Sequence, residues 1–346
     1  MNDMTTTLLI TLAILGGLLL LYFLFMLLFY LGLHRIFTRR QNGNPHLKYF
    51  TVDQFDDLAF EKLQLTIWKN QLDGVRIAPL HEKEDQKHLI IFFHGFGAGY
   101  EAYTREIRRL SLHSQIPVIA FSLSGSGKSS GKKFPNFFQA INEASQILTE
   151  ITKTQGKNRK IYLIGHSLGG FIVSNVLTLH PQLSVDGVIA LSAPNNFVDV
   201  FTHLVHGGKI TRLILGLFFR IQYRKKAKVS TASSIEYNLI PTTLIHGTRD
   251  FVVPYAKSGQ IYADLSNKHQ HIRVISYAGR GHNPYLTQIS EQALQEVLRQ
   301  DQYYKRHKKL HAEAKKFYQN IDYDQIGIVD EELLEAIKQI IKGAGK

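Results

Sequence analysis

Apolar residues along this chain fall into three kinds of run. The first is one long block, residues 8–33, in which 26 consecutive positions carry no charge. As a helix at ~1.5 Å per residue it would be about 39 Å long, enough to cross a ~30 Å hydrocarbon layer with tilt. The second kind is short and continuous, such as 89–93 (Leu-Ile-Ile-Phe-Phe), as expected of strands buried on both faces. The third has helical spacing, as in Leu168, Ile172, Val176 and Leu179. Read in order, the pattern predicts strands at 63–68 and 75–80, with Asp73-Gly74 between them as a hairpin turn. A charged loop, 81–88, follows. Then come strand 89–93, helix 100–112, strand 117–121, helix 137–152, strand 160–164, a helix from Leu168, and strand 187–191. Strands 242–246 and 272–277 close the series, with helices around 255–265 and 285–299. Alternation of this kind predicts an α/β protein with a mostly parallel, doubly wound sheet.

Two segments fall outside the alternation. Residues 195–236 separate two strands by about 40 residues, where 2–6 are usual, and so form an insertion. It holds Lys209, Arg212, Arg220, Arg224, Lys225, Lys226 and Lys228 against Asp199 and Glu236, around a very apolar centre at 210–223. Such a segment reads as a helix packed on the sheet, or as a lid whose basic, apolar surface meets anionic lipid; the two are compatible. Residues 301–346 carry helical patterns at 303–318 and 331–342. Between them Asp322-Tyr323-Asp324-Gln325-Ile326-Gly327 opens like a calcium loop, but Ile326 and Leu333 occupy ligand positions, so a packed helical hairpin is expected. The expected divisions are an anchor at 8–33, a linker at 34–59, a catalytic domain at 60–300 with its insertion at 195–236, and an extension at 301–346.

Charge and composition narrow the partners. The formal net charge is +13 and there is no cysteine, which excludes disulfides and thiol chemistry. A basic chain suits nucleic acid or an anionic membrane. No nucleic-acid module is present in the sequence, and the 8–33 block favours the membrane. A cleaved signal peptide would want a basic start and a small-residue cleavage site, whereas Asp3 precedes the block and no A-x-A follows it. An uncleaved single-pass anchor in the cell membrane is therefore expected. Arg35, Arg39, Arg40 and Lys48 follow the block with no acid before Asp53, which places the catalytic body on the cytoplasmic side.

The chemistry centres on Gly165-His166-Ser167-Leu168-Gly169, a G-x-S-x-G between a strand and a helix. A serine on such a turn is held up as a nucleophile, and glycines two residues to either side let the turn close. A second G-x-S-x-G at Gly127-Lys128-Ser129-Ser130-Gly131 lacks both flanking elements and reads as a loop. Serine needs a base, usually a histidine steered by a carboxylate, and the strand-turn-helix nucleophile predicts the order Ser, acid, His. Asp250, after strand 242–246, and His282, after strand 272–277, fit that order. Asp199 is the alternative acid, while Asp186 lies at the wrong end of its strand. His94, His166 and His246 also sit at strand ends and are expected to support loops. Donors for the tetrahedral oxyanion are expected from the backbone N–H of Leu168 and of Phe96, the latter in the glycine-rich loop His94-Gly95-Phe96-Gly97. This chemistry calls for no metal or cofactor.

With these pieces together, the chain resembles the α/β-hydrolase-fold serine hydrolases, nearest the monoacylglycerol lipase and lysophospholipase-like branch of the serine aminopeptidase S33-type hydrolases. The resemblance rests on His94-Gly95-Phe96-Gly97, Gly125-Ser126-Gly127-Lys128-Ser129, Gly165-His166-Ser167-Leu168-Gly169-Gly170, Gly247-Thr248-Arg249-Asp250 with Val253-Pro254, and Gly281-His282. It covers roughly 63–299. It implies a Ser-His-Asp esterase or lipase, with the insertion as a lid over the active site. One departure is Ser122, where such proteins usually place Asp, so a looser loop is expected there. Carboxylic esters, acyl lipids in particular, are the expected substrates. A peptidase, amidase, thioesterase or acyltransferase on the same triad remains open, as does a non-catalytic lipid-binding scaffold.

Overall fold

Leu89 to Phe93 have almost no exposed surface, and the strand they form, β3 (His88–Phe93), lies inside an eight-stranded sheet. The computed structural model describes residues 3–80, 84–155 and 158–343, so positions 81–83 of the charged loop and 344–346 of the extension lie outside the described residues. The other strands are β1 (Leu58–Ile67), β2 (Asn70–Pro79), β4 (Val118–Phe121), β5 (Lys160–His166), β6 (Gly187–Leu191), β7 (Thr242–Gly247) and β8 (Ile272–Tyr277). Their order is β1-β2-β4-β3-β5-β6-β7-β8; β2 runs antiparallel to both its neighbours and the rest are parallel. The helices are α1 (Asp3–Thr38), α2 (Thr104–Ser114), α3 (Phe137–Thr154), α4 (Leu168–Leu179), α5 (Phe197–Leu204), α6 (Lys209–Tyr223), α7 (Thr231–Asn238), α8 (Gly259–Ser266), α9 (Gln288–Arg306), α10 (His311–Gln319) and α11 (Glu331–Gly343). This is the α/β-hydrolase fold, with the strand carboxyl ends of β3, β5, β7 and β8 carrying the predicted site.

The hairpin exists, but its turn does not lie where the sequence placed it. Ile67 pairs with Asn70, so Trp68 and Lys69 make the turn, with Trp68 at φ 51°. Asp73-Gly74 instead lies within β2, where Gly74 pairs with both Leu63 and Phe121. A Cβ at Gly74 would lie 2.4 Å from the Phe121 ring. This glycine thus answers a packing demand from the next strand, which imitates a turn signal in one dimension.

The chain divides into two compact units, Met1–Arg39 with Asn196–Val229, and Arg40–Asn195 with Ser230–Lys346. Of the expected insertion, Asn196–Val229 falls in the first unit. The insertion's last helix, α7, belongs with the catalytic body, where Ser234 donates to Asn175 of α4 at 2.7 Å. Within the first unit, α6 packs on α1. The expected linker is also ordered where the second unit begins: the Arg40 guanidinium donates to the carbonyls of Gly127, Ser129 and Gly131.

The C-terminal extension is part of the core of its unit. Leu333, Leu334, Ile337 and Ile341 of α11 are buried with Ile107 and Leu110 of α2. The expected helix 303–318 is divided, its first residues ending α9 and the rest forming α10, and a turn then leads to α11. In that turn Asp322 uses its own carboxylate to accept the N–H groups of Asp324 and Gln325.

Candidate active site

Ser167 stands alone between β5 and α4, with φ 55° and ψ −114°. A positive φ is strained for any residue with a Cβ and persists only where the surroundings enforce it. Here the Ser167 N–H donates to Leu191 O at 2.8 Å and its carbonyl accepts from Phe171 at 3.0 Å. The flanking glycines are steric necessities. A Cβ at Gly165 would lie 2.3 Å from the Gly169 backbone, and one at Gly169 would lie 1.9 Å from Phe93 O. The same close approach presses the start of α4 against the end of β3. Leu168 is the first residue of α4, so its N–H has no partner within the helix.

The loops after β7 and β8 are tied together. Arg249 N–H donates to Arg280 O at 2.8 Å, and a Cβ at Gly247 would lie 2.2 Å from Gly281 O. Asp250 Oδ2 lies 2.8 Å from His282 Nδ1, while Oδ1 accepts the N–H groups of Val252 and Val253, each at 2.8 Å. The Asp250 side chain is wholly buried. Burial pushes its pKa up, but the charge of His282 and the hydrogen bonds from His246 and His282 outweigh it, holding the carboxyl well below the usual carboxylate range. Asp250 is thus a fixed anion that orients His282 through Nδ1. Among the described residues no hydrogen bond joins Ser167 Oγ to His282; such bonds are often long in unliganded sites and tighten with substrate.

Three groups that the sequence did not single out for this role hold the site around His282. Glu291, buried on α9, accepts Gly281 N–H at 2.6 Å and Asn283 N–H at 2.7 Å, clamping the backbone on both sides of the histidine. His166 Nε2–H donates to the His282 carbonyl at 2.8 Å. That bond fixes the His166 tautomer, so its Nδ1 accepts from Tyr103 Oη at 2.9 Å, and Tyr103 in turn accepts Gly95 N–H at 3.1 Å. One chain of hydrogen bonds therefore runs from the glycine loop after β3, through the residue before Ser167, to His282. Burial, with the nearby charge of His282, pushes the His166 pKa down to about 3. His94 is also buried, pushed down to about 4, and spans Gly95 O and Leu123 N–H. Unfolded histidine titrates near ~6.5, so both must gain a proton on acid unfolding, and their share of the stability falls as pH drops below that value. Phe96 lies in the bend of the same loop, half-buried, edge-on to Phe134 at 5.6 Å.

Glu291→Gln is expected to cost more activity than stability. Glutamine keeps one acceptor and turns an amide N–H toward the second backbone N–H, freeing one side of the His282 loop. Small misplacement of a catalytic group costs up to ~10²-fold, so kcat should fall roughly 10–100-fold with KM nearly unchanged. Steady-state kinetics on a chromogenic ester would measure both. A Glu in the first turn of a helix is too common a sequence feature to have flagged this role.

The other candidates are accounted for locally. Ser129 Oγ donates to Ser122 O at 2.5 Å and accepts Asp73 N–H at 2.8 Å, so it is a buried structural hydroxyl. Asp199 pairs with Arg212 at 2.5 Å, within the first unit. Asp186 accepts Ile161 N–H at the start of β5. His246 lies 3.3 Å from Asp250 and 2.9 Å from Val253 O. Ser122 does not loosen its loop: it accepts Tyr100 N–H at 3.1 Å and donates to the buried Glu101 carboxylate at 3.0 Å. A carboxyl group, that of Glu101 in the short helix Tyr100–Tyr103 after β3, thus lies against Ser122.

The fold and this constellation define the class, an α/β-hydrolase-fold protein with a strained serine elbow and an Asp-His pair. Comparison with known proteins agrees. A family model described as serine aminopeptidase S33 matches residues 84–236. An abhydrolase domain-containing protein of Caenorhabditis elegans, abhd-5.2, is 31% identical over 138 residues, which are 39% of this chain and 29% of that protein. Less than a third of that relative's length is therefore spanned. A putative esterase/lipase of Mycoplasma genitalium is 25% identical over 234 residues, covering 58% of this chain and 84% of the relative. Among solved structures, an esterase of Pyrococcus furiosus superposes with a TM-score of 0.54 at 16% identity, over 78% of this chain and 98% of its own. The chain is similar, in its catalytic body, to esterase/lipase-type serine hydrolases.

Proposed function

We propose that this chain is a membrane-anchored serine hydrolase that cleaves carboxylic esters of acyl lipids, of the monoacylglycerol or lysophospholipid kind. The observation that carries the reading is the pairing of Asp250 with His282 at 2.8 Å beside an elbow that holds Ser167 at φ 55°. In this reaction Ser167 Oγ attacks the ester carbonyl while His282 Nε2 takes its proton. The oxyanion is held by the N–H groups of Phe96 and Leu168. Collapse breaks the acyl–oxygen bond, and His282 returns the proton to the leaving alcohol. Water, deprotonated by the same histidine, then attacks the acyl-serine and releases the acid and free Ser167. Asp250 remains ionised throughout and stabilises the imidazolium.

Lipid as the substrate class is supported by α1, which is long and apolar enough to cross a membrane, a pattern that a signal sequence near the N-terminus also shows. Reading α1 as a retained anchor is supported by Asp3 before the apolar block and the basic residues after it, and the same charges support a cytoplasmic catalytic body. The test is a series of p-nitrophenyl esters of rising chain length presented to the purified full chain. Higher kcat/KM on medium or long acyl chains than on acetate is expected. A preference for acetate would reject acyl lipids as substrates while leaving an esterase.

A further inference from the structure

The helix α6 of the insertion has three faces. The first, Thr211, Leu215, Phe218 and Phe219, is buried and lies on the second half of α1. Two polar clasps join them: Tyr22 Oη lies 2.5 Å from Thr211 Oγ1, and Tyr30 donates to Gln222 Oε1. Phe218 sits between Phe23 and Tyr30, at ring distances of 5.1 and 5.6 Å. The second face, Ile210, Leu213, Leu217 and Ile221, is apolar and 62, 70, 48 and 68% exposed. The third carries Lys209, Arg212 and Arg220, and Arg224, Lys225, Lys226 and Lys228 follow at the end of the helix. All seven cations are exposed, and the one acid between 196 and 229, Asp199, is held by Arg212.

Helix α1 shows where such a helix belongs. From Asp3 to Leu21 every residue is exposed, whereas from Tyr22 onward one face is covered. Those 19 residues make about 28 Å of helix, close to the ~30 Å hydrocarbon layer. Tyrosine favours the lipid–water boundary, and the boundary then falls at Tyr22, where α6 begins to pack. A helix with an apolar face and a basic face whose cations outnumber the one nearby acid lies flat in that boundary, chains below and anionic headgroups above.

We infer that α6 is a second membrane element, an interfacial helix clasped to α1, whose partner is the surface of an anionic phospholipid bilayer. The Ile210–Leu213–Leu217–Ile221 face enters the acyl region, and the cations from Lys209 to Lys228 bind headgroups. The inference rests on the reading of α1 as a bilayer-spanning helix, and it shortens the spanning part to the residues before Tyr22.

Because the chain has no cysteine, single labels are unambiguous. An environment-sensitive fluorophore would be placed on Leu12→Cys, Leu213→Cys, Leu217→Cys and Lys132→Cys in the full chain. The vesicles would be phosphatidylcholine alone or mixed with phosphatidylglycerol. Labels at 12, 213 and 217 should be quenched by nitroxide-bearing lipid and be about tenfold less accessible to aqueous iodide than the label at 132, as expected of an embedded apolar face. At 213 and 217 the shielding should be greater with phosphatidylglycerol, and changing Arg224, Lys225, Lys226 and Lys228 to Gln should remove that increment. Iodide access at 217 equal to that at 132, with 12 shielded, overturns this inference and spares the anchor. Access at 12 as well removes the anchor and this inference with it. Shielding that does not respond to phosphatidylglycerol overturns the anionic partner.

Discussion

Ser167→Ala should lose ester hydrolysis by about 10⁴- to 10⁶-fold in kcat, and with it all labelling by a fluorophosphonate probe. On the proposed mechanism the variant removes the attacking oxygen and leaves the proposed donors at Phe96 and Leu168, so a small residual rate over water should persist. The fold should hardly notice. Ser167 Oγ has no hydrogen-bond partner among the described residues, and alanine keeps the backbone bonds to Leu191 and Phe171. A stability change within about 0.5 kcal/mol is expected, measured by urea unfolding. Labelling that survived the substitution would move the nucleophile elsewhere, although Ser129 is already committed to two hydrogen bonds. Failure of the wild-type chain to label, where a control hydrolase labels, would instead favour a non-catalytic lipid-binding protein.

Asp250→Asn should lower kcat by about 10⁴-fold while the variant stays folded. The asparagine oxygen can still accept from Val252 and Val253, so the turn is kept. Its amide, however, presents N–H toward His282 Nδ1, which favours the wrong tautomer and leaves the imidazolium without a counter-charge. The pH dependence of stability offers a second readout. Asp250 has a folded pKa below its unfolded value near ~3.9, so its stabilisation is complete above that pH and is lost as pH falls toward the folded value. The variant should therefore show a shallower loss of stability on the acid side of about pH 4 in urea titrations. A wild-type acid slope retained in Asp250→Asn would assign it to other carboxylates.

How far the sequence could be read depends on the range of the interaction concerned. Strand 187–191 emerges at its predicted bounds because a doubly buried strand must be apolar throughout. Ser167 was separable from Ser129 because its neighbours in sequence are also its neighbours in space: the strand before, the helix after and the two glycines. Asp250 and His282 were found by order along the chain, and the structure places them in contact. Glu291, Tyr103 and the bridging role of His166 were not found. Tyr103 and His166 act through groups 63 and 116 positions apart in sequence, and a carboxylate clamping two amides across a loop looks like any helix acid until the chain has folded. Gly74 shows the converse, a local signal whose cause was the Phe121 ring of another strand.

The sequence by itself determined the α/β alternation, the strand-turn-helix at Ser167 and the long apolar N-terminal helix. All of these follow from local periodicity or from steric demands within a few residues. Tertiary structure alone decided what fixes His282, that Glu101 accepts from Ser122, and what covers one face of α6. The sequence showed that the insertion helix was apolar and basic. It could not show that one apolar face belongs to α1, because that pairing joins residues about 190 positions apart, and hydrophobicity is non-directional and does not name its partner. The choice between faces was made by shape and by two tyrosine hydroxyls, which exist as partners only in three dimensions.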